Sequence, residues 1–156
     1  MSNIKMQYGS SIKGSATNST NENWIDLNSF SISASRSVSG NNSSMRQIGL
    51  PSMNSFSVSK NLDAASLLLV KECLQGKGST VKLEFLKTSE NGLEAYMTYT
   101  FEDCLITNHS ISSNGSAPTE TMCITFSKFD QTFKDYDEEG KPKGNTAVSY
   151  DFKTMK

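Results

Sequence analysis

The stretch Trp24-Ile-Asp-Leu-Asn-Ser-Phe-Ser-Ile-Ser-Ala-Ser-Arg-Ser-Val-Ser39 indicates the fold class. Apolar residues occupy odd positions up to Leu27 and even positions from Phe30 onward, which predicts a strand with a bulge near Asn28. The odd positions from Ser29 to Ser39 are all serine. One face of this segment is therefore apolar and the other is rich in hydroxyl groups, which is typical of a sheet with one buried side.

The same alternation recurs along the rest of the chain and predicts about eight short strands. Asn-Gly at Asn91 predicts a hairpin turn, and a bulge is expected at Glu102-Asp103. In this pattern Phe56, Val58, Tyr99 and Phe101 point inward. The predicted strands outside the first stretch are Ile4–Tyr8, Ser55–Lys60, Thr80–Lys87, Leu93–Phe101, Cys104–Ile111, Glu120–Phe129 with Phe133–Tyr136, and Val148–Phe152. Strands of this number and length favour an antiparallel barrel or sandwich.

One α-helix is predicted at about residues 64–75. Asn61 or Asp63 can cap its first turn, because a side-chain oxygen accepts the free N–H groups there. Apolar residues recur at helical spacing, and we expect Leu68 and Leu74 to face the core. The whole chain, residues 1–156, is expected to be one domain that carries no fused effector domain.

Composition excludes several classes of protein. The 15 basic and 16 acidic residues give a formal net charge of −1, which argues against a nucleic-acid binder that relies on bulk positive charge. No apolar run is long enough to span a membrane, and the N-terminus does not resemble a secretory signal. The odd number of cysteines, three in all, is typical of reduced thiols in a protein that folds in the cytoplasm.

No catalytic or metal-binding motif stands out in the sequence. The only histidine is His109. It lies far along the chain from any strained nucleophile turn, so we interpret it as a surface or strand-face residue rather than a triad base. We therefore expect no enzyme activity and no cofactor or metal. Two alternatives remain open: a stand-alone β-barrel that binds a small polar ligand such as a sugar, and a hydrolase that uses His109.

A fifteen-residue loop is predicted from Gly40 to Asn54. Connections between strands are usually shorter than this, and loops of such length are uncommon unless they are functional. Its apolar side chains need a partner surface, which is either the wall of the same barrel or another molecule. The apolar residues are Met45, Ile48, Leu50 and Met53, and Arg46 is the only charged residue of the loop.

Several ordered segments resemble the Hcp (haemolysin-coregulated protein) family, the tube protein of the bacterial type VI secretion system. The resemblance extends from about Ile4 to Phe152. The segments that carry it are Ile12-Lys-Gly14, Trp24-Ile-Asp-Leu-Asn-Ser-Phe-Ser31, Ser59-Lys-Asn-Leu-Asp-Ala-Ala-Ser66, Gly76, Tyr99-Thr-Phe-Glu-Asp-Cys-Leu-Ile-Thr107 and Phe126-Ser-Lys-Phe129.

The resemblance implies a β-barrel of two sheets flanked by one helix. It also implies a homohexameric ring, stacking of rings into a tube inside a sheath, and a spike protein and effectors as further partners. Ser31 matches the family position that faces the lumen. We expect Trp24, Phe30 and the five loop residues named above, Arg46 included, at ring contacts. The protein is then expected in the bacterial cytoplasm when assembled, and outside the cell or in a target cell after firing, without a cleaved signal peptide or membrane insertion.

Overall fold

The computed structural model of the chain describes residues 3–17, 21–40, 47–53, 55–89, 92–139 and 141–156. Within these ranges the chain forms eleven strands and one helix. The strands are β1 (Ile4–Tyr8), β2 (Ile25–Leu27), β3 (Ser29–Ile32), β4 (Ser35–Ser39), β5 (Gln47–Ser52), β6 (Ser55–Asn61), β7 (Ser79–Ser89), β8 (Gly92–Ser112), β9 (Thr119–Thr125), β10 (Lys128–Tyr136) and β11 (Pro142–Asp151). The helix, α1 (Ser66–Gln75), lies between β6 and β7 in the chain.

Two antiparallel sheets share the long strand β8. Its first half pairs with β7 and β10, in a sheet ordered β2-β1-β7-β8-β10-β11. Its second half pairs with β9, in a sheet ordered β8-β9-β6-β3. A separate two-stranded ribbon consists of β4 and β5. The predicted mainly β fold of two sheets and one helix is confirmed, although the described strands leave the barrel open.

The bend in β8 falls at Asp103, whose φ of 61° is unusual for a residue other than glycine. Ser79 pairs with Cys104 whereas Val81 pairs with Phe101, so β8 contains one extra residue between these pairs. A bulge of this kind increases the local twist of a strand. It allows β8 to leave one sheet and enter the other, and it confirms the bulge predicted at this position.

One apolar core lies between the two sheets. Phe56 and Val58 of β6 are buried, as are Tyr99 and Phe101 of β8, which confirms the predicted alternation. The Phe56 and Phe101 rings stack with their centroids 4.3 Å apart, and Tyr99 stacks on Phe101 at 5.4 Å. Phe30 of β3 packs beside them, 5.2 Å from the Tyr99 ring. Stacked rings from both sheets therefore hold the two layers together.

The helix α1 buries a narrower face than the sequence predicts. Leu69 is fully buried, whereas Leu68 is 43% exposed and Leu74 is 78% exposed. The prediction that Leu68 and Leu74 face the core is therefore wrong. Four consecutive apolar residues, Leu67–Val70, cover most of the helix circumference at 100° per residue, so their pattern does not select one face.

The start of α1 also differs from the prediction. Ala65 is the N-cap residue, and no side chain of the described residues makes the capping hydrogen bond. The predicted cap Asp63 lies two residues earlier, where its Oδ1 accepts the backbone N–H of Ala65 at 2.9 Å. The same oxygen accepts a hydrogen bond from Lys60 Nζ at 2.8 Å. The ion pair with Lys60 thus holds the carboxylate outside the helix proper.

The segment predicted as a long loop contains the strand β5 (Gln47–Ser52), which pairs with β4 to form a ribbon. The sequence pattern did not predict this strand, because Gly49 and Pro51 disfavour strands in most contexts. A two-stranded ribbon has free edges, where a proline is tolerated. Glycine at position 49 leaves room for the hydroxyl of Ser37, which would have to rotate away from a Cβ there.

Candidate functional site

One side of the β8-β9-β6-β3 sheet is covered by uncharged polar side chains, which we call the hydroxyl face. Alternate residues point to the same side of a strand, and the register brings the polar positions of four strands together. Ser29 pairs with Ser59, and Ser31 pairs with Ser57. The residues of the face are Ser29, Ser31, Ser57, Ser59, Asn108, Ser110, Thr121 and Cys123.

Short hydrogen bonds between neighbouring strands order part of this face. The Ser29 and Ser59 hydroxyl oxygens are 2.5 Å apart, as are those of Ser110 and Thr121. Ser57 Oγ lies 3.5 Å from Cys123 Sγ. The Ser31 hydroxyl and the Asn108 amide have no hydrogen-bond partner among the described residues. These two groups are available to another molecule.

The hydroxyl face carries no charged side chain and only a shallow depression. The depression has a volume of about 220 Å³, and it is lined by the residues of the face together with Val58 and Met122. Both of these apolar residues point into the core on the other side of the sheet. A binding partner would therefore meet hydroxyl, thiol and amide groups rather than ions.

A buried cluster of charges lies at one end of the inner side of the same sheet. Lys60 Nζ donates to Glu120 Oε2 at 2.5 Å, to Asp63 Oδ1 at 2.8 Å and to Ser66 Oγ at 3.1 Å. His109 Nε2 lies 3.3 Å from the other oxygen of Glu120. We call these five residues the buried ion cluster. It links β6, β8 and β9 to the start of α1.

His109 lies on β8 as expected, but its side chain is only 6% exposed. Of the two positions predicted for His109, the strand face is confirmed and the exposed surface is not. The register explains its position, because His109 pairs with the buried Met122 and so shares its inward direction. Its Nε2 faces a carboxylate rather than a serine hydroxyl. Among the described residues, no group of three or more His, Cys, Asp or Glu side chains could hold a metal ion.

The structure separates the residues expected at the lumen and at ring contacts. Ser31 is exposed on the hydroxyl face, whereas Phe30 is half-buried against the core and Trp24 is half-buried just before β2. On β5, Ile48 and Leu50 are 57% and 75% exposed. Of the remaining three, Met53 packs against the core, and Met45 and Arg46 lie outside the described residues.

The hydroxyl face extends further than sequence reasoning found. Asn108, Ser110, Thr121 and Cys123 were not identified as site residues from the sequence. Alternation in the β9 segment could have identified Thr121 and Cys123. The positions on β8 were harder to assign, because a register shift between Ile106 and Asn108 changes which residues point outward.

Both outer strands of this sheet have one side that no described strand covers. The sheet ends at β3, and the second half of β8 pairs with β9 alone. Unpaired edges present free N–H and C=O groups that readily add another strand. The fold and this surface therefore define a class of protein: a β-sandwich with a polar sheet whose two edges are unpaired among the described strands.

The particular family follows from comparison with known proteins. A family model described as the type VI secretion system effector Hcp matches residues 4–133. The chain therefore belongs to the Hcp family, and the family predicted from the sequence is confirmed. No curated protein sequence matches the chain. None of the described residues forms a helix that is long and apolar enough to cross a membrane.

Solved structures share the fold across the whole chain. A structure described as a type six secretion system protein has a TM-score of 0.89 and 21% identity, and the match covers 100% of this chain and 99% of that one. Hcp1 from Salmonella typhimurium has a TM-score of 0.77 and 25% identity, with 98% and 96% covered. Hcp2 from the same organism has a TM-score of 0.74 and 24% identity, with 98% of each chain covered.

Proposed function

We propose that this chain is a structural subunit of the type VI secretion inner tube, which assembles as hexameric rings that stack and are expelled. The hydroxyl face lines the lumen and carries effectors. The observation that carries the proposal is the uncharged polar sheet with an unpaired edge on each side. Membership of the Hcp family supports it, because that family is the tube component of the system.

The two free edges differ from each other, which favours a ring. Contact between β3 of one copy and the second half of β8 of the next is head-to-tail, and such contacts generate closed rings when the rotation between copies closes. Repetition joins the four-stranded sheets of successive copies into one inner wall. The number of six copies comes from the likeness to Hcp proteins.

The β4-β5 ribbon supports the stacking of rings. Val38, Ile48 and Leu50 are all about half or more exposed on it, so a lone subunit leaves apolar area in water. Arg36 Nε donates to the carbonyl of Gly49 at 2.9 Å and helps to hold the two strands together. The ribbon can bury this apolar area against the next ring. Met45 and Arg46 of the connection belong to the same proposed contact.

The chemistry of the hydroxyl face favours protein cargo over a small ligand. Ligand pockets usually have volumes of about 300–1,000 Å³ and enclose most of the ligand, whereas the depression on this face is open and holds about 220 Å³. An effector would be held by neutral hydrogen bonds to Ser31 and Asn108. With His109 buried in the ion cluster, the role is carriage rather than catalysis.

The purified full-length protein tests the ring directly. Native mass spectrometry is expected to show six times the 17.1 kDa of the chain, and negative-stain images should show six-fold rings with a central channel. A protein that stays monomeric at tens of micromolar would contradict the tube assignment. Monomers that bind a sugar or another small polar ligand would favour the binding-module alternative.

A further inference from the structure

The turn between β8 and β9 contains Ser113-Asn-Gly-Ser116, and all four residues are exposed. We propose that Asn114 is a site of spontaneous deamidation, a covalent modification that adds one negative charge beside the hydroxyl face. The reaction needs only water. It is therefore independent of whether the chain forms rings.

Two serine hydroxyl groups stand where the reaction needs them. Ser116 Oγ donates to Asn114 Oδ1 at 2.9 Å, which polarises the side-chain carbonyl and stabilises negative charge that develops on its oxygen. Ser113 Oγ donates its own proton to the Ser116 carbonyl at 2.7 Å. Its lone pairs are then free to accept the backbone N–H of Gly115, at 3.3 Å.

Glycine at position 115 places no side chain beside the nucleophilic backbone nitrogen. Its φ of 104° lies in the region that favours glycine. No described neighbour lies within 4 Å of the place where a Cβ would stand. Beyond its two chain neighbours, no described residue crowds this position, and the N–H that follows Asn114 donates to Ser113 Oγ.

The chemical steps balance without an external reagent other than water. The Gly115 nitrogen attacks Cγ of Asn114 and loses its proton to solvent. The Nδ2 group takes a proton from solvent as the Cγ–Nδ2 bond breaks, and it leaves as ammonia. This forms a cyclic succinimide. Water then opens the ring at one of its two carbonyls and leaves aspartate or isoaspartate at position 114. No oxidation or reduction takes place.

The product changes the charge of a surface that is otherwise neutral. The turn connects the strands that carry Asn108, Ser110, Thr121 and Cys123. The chain has a formal net charge of −1, and each conversion adds one more negative charge at this end of the hydroxyl face. An aged population of the protein thus differs from a fresh one at the surface proposed to meet cargo.

The test compares the folded full-length protein with a synthetic peptide of the sequence Ile111–Glu120, both in mildly alkaline buffer. Peptide mapping by mass spectrometry follows the gain of about one dalton at Asn114, and an isoaspartate assay identifies the product. We expect conversion in the folded protein at least as fast as in the peptide. Conversion about tenfold slower in the folded protein would overturn the proposal, because the fold would then protect the site.

Ser116→Ala tests the proposed role of the hydroxyl. We expect conversion of the folded variant to slow about fivefold, as for loss of one ordinary hydrogen bond to the transition state, with no change in the peptide that carries the same substitution. An unchanged rate of conversion in the folded variant would contradict the proposed role of the Ser116 hydroxyl. Asn114→Gln should show no conversion at this position. Circular dichroism checks that both variants are folded.

Discussion

The Lys60 ammonium lies 2.5 Å from the Glu120 carboxylate, and neither side chain has any exposed surface. Burial of two ions away from water costs several kcal/mol for each, unless partners compensate for the lost hydration. Asp63 and Ser66 supply further acceptors for the same ammonium. The ion pair therefore stabilises the junction between sheet and helix only while Asp63 and Ser66 also accept hydrogen bonds from the ammonium.

Loss of the central cation should be costly. Lys60→Met leaves the buried Glu120 carboxylate without its partner, and we expect a loss of about 3–5 kcal/mol in the free energy of unfolding. Lys153→Met is the matched control, because Lys153 pairs with Asp103 at 2.9 Å in an exposed position. Solvent screens such a pair, so its loss should lower the free energy of unfolding far less. Urea denaturation measures both. Similar small losses in the two variants would show that the buried ion cluster adds nothing to stability.

The helix offers a second stability test. Leu69→Ala removes a fully buried side chain and should lower the free energy of unfolding by about 2–5 kcal/mol. Leu74→Ala, in the same helix but 78% exposed, should change it by less than about 0.5 kcal/mol. Thermal denaturation of the two variants compares them. A larger loss for Leu74→Ala would mean that the helix is rotated from the orientation described above.

The ribbon should control stacking without affecting the ring. The triple variant Val38→Ser, Ile48→Ser and Leu50→Ser removes its exposed apolar area, so we expect hexamers that no longer form tubes in negative-stain images and are not secreted. Leu67→Ser with Leu74→Ser is the control, because these residues are similarly exposed on the helix. Tubes that persist in the ribbon variant would exclude a role for the ribbon in assembly. Loss of the hexamer would place the ribbon in the ring wall.

A charged side chain on the hydroxyl face should weaken the binding of cargo. Ser31→Glu places a carboxylate among groups that are all neutral, so cargo that binds there must desolvate an unpaired ion. We expect retention of a co-expressed effector to fall about tenfold or more, with the hexamer intact. Ser149→Glu on the exposed strand β11 introduces the same charge away from the face. Equal retention by both variants would show that the face does not hold cargo.

The buried thiol of Cys104 predicts a loss of stability in alkali. Burial raises its pKa from 9.0 to about 12. Between these values the unfolded chain releases the proton while the native chain keeps it, so stability falls as pH rises. Near pH 10.5 the loss amounts to about 2 kcal/mol relative to pH 8.

The control for this prediction separates Cys104 from other alkaline groups. Cys104→Ala removes the titrating thiol, so its free energy of unfolding should fall less steeply with pH than that of the wild type. Leu74→Ala, which removes an exposed side chain that carries no titrating group, should keep the wild-type slope. The slope, rather than the absolute stability, is compared because Cys104→Ala also leaves a cavity. Identical slopes in all three proteins would contradict the link to Cys104.

Much of the fold could be predicted from local sequence patterns. Alternation with a period of two identified most strands, and the change of parity between Leu27 and Phe30 located the break between β2 and β3. The ordered segments indicated the Hcp family. The ribbon strand β5 was missed because Gly49 and Pro51 disfavour a strand, and β5 pairs with β4 alone among the described strands. The buried face of α1 was missed because its apolar run covers most of the circumference.

The sequence by itself determined which residues can share one side of a strand, because that depends only on the geometry of an extended backbone. It thereby placed Ser31 on a polar face with Ser29. Only the tertiary structure decided that Ser57, Ser110 and Thr121 join that face, since the register between strands far apart in sequence sets their neighbours. The same register turned His109 inward toward Glu120. Contacts of this kind depend on pairing across the whole chain, which no local pattern encodes.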